Sequence, residues 1–139
     1  MKFPGHGQLS AICENNILVI EGTGPWNIEM LSSTDEEATK MLQELYLQPW
    51  AVLAIMHGNS TFLPDAAKKL QQIIRQEKTH NRVATAIIVT YTAHPSFSKA
   101  HLASIYQLAG ETFEFFTNKE AAMDWLTRQL CSPENKKTS

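Results

Sequence analysis

From Trp50 to Met56 every residue is apolar, and the run, opened by Pro49, stops abruptly at His57-Gly58-Asn59. A stretch this short, with no polar position on either alternating face, predicts a strand covered on both sides at the centre of a sheet. Upstream, Leu9, Ala11 and Cys13 alternate with Ser10 and Ile12, and Ile17-Leu18-Val19-Ile20 follows Glu14-Asn15-Asn16. Asparagine tolerates positive φ, so the Asn pair predicts a hairpin that joins two antiparallel strands. Gly22-Thr23-Gly24-Pro25-Trp26-Asn27 then breaks the chain. Ala38, Met41, Leu42 and Leu45 fall at helical spacing, and the stripe extends back through Leu31 and Thr34. One helix from about Asn27 to Leu47 is expected. A capping box from Thr34 to Glu37 offers a restart within it.

Downstream of the central strand, Pro64 and Asp65 are first-turn residues for a second helix, with Ala66, Leu70, Ile73 and Ile74 as its buried stripe. Lys68, Gln71, Arg75 and Lys78 occupy another face, expected to be solvated. Val83 to Thr90 is β-branched and largely apolar, which predicts the next buried strand. A polar loop with His94, Ser96 and Ser98 leads to a third helix, from Phe97 or Ser98 to Ala109, with Gly110 as its stop. Phe113, Phe115 and Phe116 mark a last strand. Thr117 to Glu120 reads as a capping box, and Ala122, Trp125, Leu126 and Leu130 carry a closing helix. The order is ββαβαβαβα, an α/β fold whose strands, joined by helical crossovers, are mostly parallel.

Composition narrows the class without naming a chemistry. A chain of 139 residues that is 43% hydrophobic fits one domain, expected over residues 1–131. The polar stretch Ser132 to Ser139 is expected to be a disordered tail. A net charge of −2 gives no global attraction for nucleic acid or an anionic membrane. No stretch approaches the ~20 apolar residues of a membrane span or the apolar core of a signal peptide, so no stable membrane insertion and a cytoplasmic location are expected. Cys13 and Cys131 lack metal or redox spacing and are expected to be reduced thiols.

In an open sheet of this kind, ligands bind beyond the carboxyl ends of the parallel strands. Three loops share that edge, and they bring Trp26, Asn27, His57, Asn59, Ser60, Thr61, Tyr91, His94, Ser96 and Phe97 together as candidate site residues. His57 and His94 could act as an acid-base pair, but no HxH or HExxH spacing supports a metal, so neither a metal nor another cofactor is expected. Gly58-Asn59-Ser60-Thr61-Phe62 is not a nucleophile elbow. Gly22-Thr23-Gly24 is followed by Pro25, which removes a backbone donor where a phosphate cradle needs one.

Several strings carry a family resemblance: Gly24-Pro25-Trp26-Asn27 with Glu29, Pro49-Trp50-Ala51-Val52-Leu53, Pro64 with Asp65-Ala66, and Phe115-Phe116 with Glu120-Ala121 and Trp125-Leu126. In these, and in the order of its elements, the chain resembles the STAS-like group called SpoIIAA-like, after the sporulation anti-anti-sigma factor. The resemblance implies a four- or five-stranded mixed sheet with helices packed mainly on one side. It also implies a non-enzymatic regulatory domain acting through protein contact, with a phosphoacceptor serine just after the central strand. Here that place holds Ser60 and Thr61, preceded by Asn59 instead of the family's aspartate. The related CRAL-TRIO lipid-binding fold implies an apolar ligand between sheet and helices as a second option. The expected partner is therefore a protein or a small apolar ligand, with a homodimer also allowed. The alternative from another class is a small-molecule enzyme using His57 and His94.

Overall fold

The computed structural model describes residues 8–23, 36–58, 62–90, 92 and 94–131. Strands β1 (Gln8–Glu14) and β2 (Ile17–Thr23) form the expected antiparallel hairpin. Asn15 and Asn16 turn it with φ of 52° and 65°, the double positive φ of a two-residue type I′ turn. Helix α1 (Glu36–Leu45) follows, ending two residues before the expected Leu47 as Tyr46 and Leu47 enter a turn. The expected start at Asn27 and the Thr34 capping position lie outside the described residues.

Strand β3 (Trp50–His57) and helix α2 (Pro64–Lys78) fall where the apolar run and the Pro64-Asp65 pair place them. Pro64 occupies the first turn, where its missing N–H costs nothing, and Asp65 Oδ1 accepts from the Ala66 amide at 2.8 Å. Strand β4 (Arg82–Thr90) starts one residue earlier than expected. Helix α3 runs from Pro95 to Leu108, so Ser96, Phe97 and Ser98 belong to its first turn, not to a loop. The proline at its head is the same start signal as Pro64. Gly110 follows with φ of 75°, the left-handed stop that glycine adopts without a Cβ penalty. Strand β5 (Phe113–Phe116) and helix α4 (Lys119–Leu130) close the fold. The cap of α4 is Asn118, whose side chain accepts from the Ala121 amide at 2.8 Å, and not Thr117.

The five strands form one sheet in the order β1-β2-β3-β4-β5, with β3 in the middle and β2 to β5 parallel. Each crossover steps one strand in the same direction, and right-handed connections then place every crossover helix on the same face. The packing agrees. Trp50, Val52, Ala54 and Met56 face α1, α2 and α3, through partners that include Leu45, Ile74, Leu102 and Ile105. Ala51, Leu53 and Ile55 face α4, through Ala122 and Leu126. Both faces of β3 are thus covered, with three described helices on one side and one on the other. This unbalanced arrangement has no reversal of strand order, and so it lacks the crevice at which doubly wound sheets hold nucleotides. Among the described residues, no helix is long and apolar enough to cross a membrane.

Candidate functional site

The carboxyl ends of β2, β3 and β4 lie side by side, with Thr23, His57 and Thr90 in register. His57 is the first polar residue after the apolar run, and its side chain is 25% exposed. Gly58 follows with φ of 70°, and its amide donates to the Thr90 carbonyl at 2.9 Å, which ties the exit of β3 to the end of β4. A Cβ at Gly58 would meet Thr23 Cγ2 at 3.6 Å, an ordinary contact, so backbone conformation and not space selects glycine here.

His57 Nε2 is 2.8 Å from Glu21 Oε2, and its Nδ1 is bonded to Thr90 Oγ1. Glu21 pairs with Ile55, and residues 55 and 57 point to one face, so the carboxylate, imidazole and hydroxyl line up across three strands. An ionised carboxylate only accepts hydrogen bonds. Neutral His57 therefore carries its proton on Nε2, and Nδ1 is left as an acceptor for the Thr90 hydroxyl.

On the other face of the same edge, the Phe62 amide donates to His101 Nε2 at 2.9 Å. The His101 ring lies near-parallel to those of Phe62 and Phe97, at centroid distances of 6.4 and 6.3 Å. Phe62 is buried, but its neighbour Leu63 and the outer ring, Phe97, are 63% and 64% exposed. Two large apolar side chains are thus exposed where α2 and α3 start, Leu63 just before α2 and Phe97 in the first turn of α3. The approach to α3 is held by Thr92 Oγ1, which is 3.2 Å from buried Ser98 Oγ and accepts from the His94 amide at 3.4 Å.

Of the residues selected from sequence, His57, His94 and Phe97 stand at this edge, His94 as the exposed residue before α3. The ring nitrogens of His57 meet Glu21 and Thr90. Trp26, Asn27, Asn59, Ser60, Thr61 and Tyr91 lie outside the described residues. Glu21, Leu63, Thr90 and His101 were not selected. The signal for the first was available: Glu21 is the one charged residue in the otherwise apolar or neutral β2.

The opposite, amino-terminal edge holds a buried charge cluster. Arg82 donates from Nε to Glu111 at 2.7 Å, from Nη1 to Glu77 at 2.6 Å and from Nη2 to Thr85 at 2.7 Å. Lys78 takes the other Glu111 oxygen at 2.8 Å. Two expected solvated cations of α2 are therefore engaged, since Arg75 also donates, to the Leu108 carbonyl at the end of α3. Burial pushes both carboxyls up, but with opposite outcomes. Glu111 ends below the usual range because Arg82, Lys78 and Thr85 all stabilise its anion. Glu77 ends above it, since burial outweighs its bond to Arg82 and the Glu111 charge repels it. Burial also raises the Tyr106 phenol to about 12. Two cations and two carboxyls, linked in a chain from Lys78 through Glu111 and Arg82 to Glu77, form a structural clamp. Beside it, Asn15, Asn16, Gln48, Pro49, Thr127, Leu130 and Cys131 line an open groove of about 600 Å³. Among the described residues, no group of three or more His, Cys, Asp or Glu side chains could hold a metal ion.

No protein-family model matches the chain, and no curated protein matches it either. Among solved structures, it is similar to that of an uncharacterized protein of the DUF3478 family with a SpoIIAA-like fold, from Shewanella loihica PV-4. The likeness has a TM-score of 0.51 at 17% identity, and covers 85% of this chain and 91% of the other. With the mixed five-stranded sheet, its one-directional crossovers and the closing helix on the far face, the chain has a SpoIIAA-like fold.

Proposed function

We propose that the chain is a protein-recognition domain whose contact surface is the carboxyl edge of the sheet, centred on Leu63 and Phe97. The observation that supports this is the exposure of two large apolar side chains at this edge, Leu63 next to buried Phe62 in the chain and Phe97 against His101, with His101 hydrogen-bonded to the Phe62 amide. Exposed apolar area of this kind favours association, and a support that is already ordered lowers the entropy lost on binding. The partner is a protein that presents an apolar segment. An apolar ligand between sheet and helices fits less well, because Ile74, Ile87, Leu102 and Ile105 already fill that layer at 2% exposure or less.

In this reading Ser60 and Thr61, just ahead of Leu63, are the phosphoacceptor candidates. A phosphate there would add charge beside the apolar contact and oppose docking, an effect that the positive end of α2 would partly offset. The test is affinity capture with the wild-type chain and with the Leu63→Glu, Phe97→Glu double variant, combined with native mass spectrometry of the purified protein. A partner held by the wild type and lost by the double variant, at equal thermal stability, supports the reading. A partner held equally by both, or a co-purifying lipid, overturns it.

A further inference from the structure

Glu21, His57 and Thr90 come from three strands, and β3 with its neighbours sets them in one row. The order carboxylate, imidazole, hydroxyl is what general-base activation of an alcohol requires. The carboxylate fixes the imidazole tautomer, and the basic nitrogen faces the hydroxyl. Each separation is within bonding reach, with Glu21 2.8 Å from Nε2. The row opens to solvent, since the Glu21 and His57 side chains are 51% and 25% exposed.

We propose that this row is a nucleophilic site in which Thr90 accepts an acyl group from a small carboxylic ester. Thr90 Oγ1 attacks the ester carbonyl carbon as its proton passes to His57 Nδ1. The carbon-oxygen bond to the leaving alcohol then breaks, and the His57 proton goes to the departing oxygen. Acyl-Thr90 and free alcohol result. Water, deprotonated by the same nitrogen, attacks the acyl-Thr90 carbonyl, and Thr90 leaves with that proton as the carboxylic acid is released. Thr90 and His57 are the catalytic residues, and Glu21 is a positioning residue that holds the tautomer. This activity is independent of the protein contact proposed above, which lies on the other face of the edge.

The experiment is hydrolysis of p-nitrophenyl acetate by the full chain, with intact and peptide mass spectrometry of the protein quenched during turnover. Release of p-nitrophenol above buffer is expected, with an acetyl group on Thr90. His57→Gln should lower the rate by about 10²-fold or more, the usual effect of losing a general base. Thr90→Val should abolish the adduct, whereas Thr90→Ser should keep it. Glu21→Gln, at an exposed position, should keep the fold, as judged by circular dichroism, and still lower the rate about tenfold, or 1.4 kcal/mol in the barrier. A wild-type rate equal to buffer overturns the proposal. So does an unchanged rate in Thr90→Val, or an adduct confined to lysines. Loss of partner binding in the Leu63 and Phe97 variant with esterase activity intact would separate the two readings.

Discussion

Arg82 Nε donates to Glu111 Oε2 across 2.7 Å with both residues buried, and this contact joins the first residue of β4 to the segment between α3 and β5. Removing one partner strands the other as an unpaired buried charge. Arg82→Met or Glu111→Ala should therefore cost about 3–5 kcal/mol. Chemical denaturation at neutral pH measures this.

The two carboxyls of that cluster predict opposite pH dependences. Glu111 is held below its ordinary value of 4.5, so its contribution is complete above that pH and is lost as pH falls through the lower, folded-state value. Glu77 is raised above the same ordinary value, so the stability linked to its protonated form is present below it and declines as pH rises through the folded-state value. Glu77→Gln should flatten the decline above pH 4.5, and Glu111→Gln should remove the loss below it. Thermal melts across acid pH would show both. If both variants follow the wild-type profile, the cluster does not control acid stability.

At the other edge, Gly58 takes a φ of 70° with room for a methyl group. Gly58→Ala should cost about 1 kcal/mol through backbone strain alone. Asn at that position, which tolerates the same region, should cost less than Ala. Equal losses for both would point to sterics instead.

The cap of α4 separates two readings of Thr117-Asn118-Lys119-Glu120. Asn118 accepts from the Ala121 amide, so Asn118→Ala should lose about 1 kcal/mol. Thr117→Ala should be close to neutral, whereas the reverse ranking would restore the capping box that starts at Thr117.

Trp50 is fully buried and donates from its indole to the His80 carbonyl at 2.8 Å. Trp50→Phe keeps most of the packing and should cost about 1–3 kcal/mol, mainly by orphaning that carbonyl. Trp50→Ala should cost about 3–5 kcal/mol. Similar losses in the two variants would show that the hydrogen bond, and not the ring volume, dominates.

The sequence by itself determined what depends on near neighbours. The Asn15-Asn16 turn, the apolar run of β3, the proline at the head of α2 and the glycine after α3 each act within a few residues, and each stands where local chemistry puts it. Two local signals were misjudged: Pro95, passed over because the serines after it read as loop, and the cap of α4, placed on Thr117 instead of Asn118. Tertiary structure decided the rest. Arg82 and Glu111 are 29 residues apart, His57 and Glu21 are 36 apart, and His57 and Thr90 are 33 apart. No periodicity spans such distances. Strand register brings Glu21, His57 and Thr90 together, and it is set by the burial of the apolar faces of β2, β3 and β4, not by the polar residues at their ends. The pattern that made β3 central was therefore legible in the chain, while the partners of His57, at its exit, existed only once the neighbouring strands were aligned.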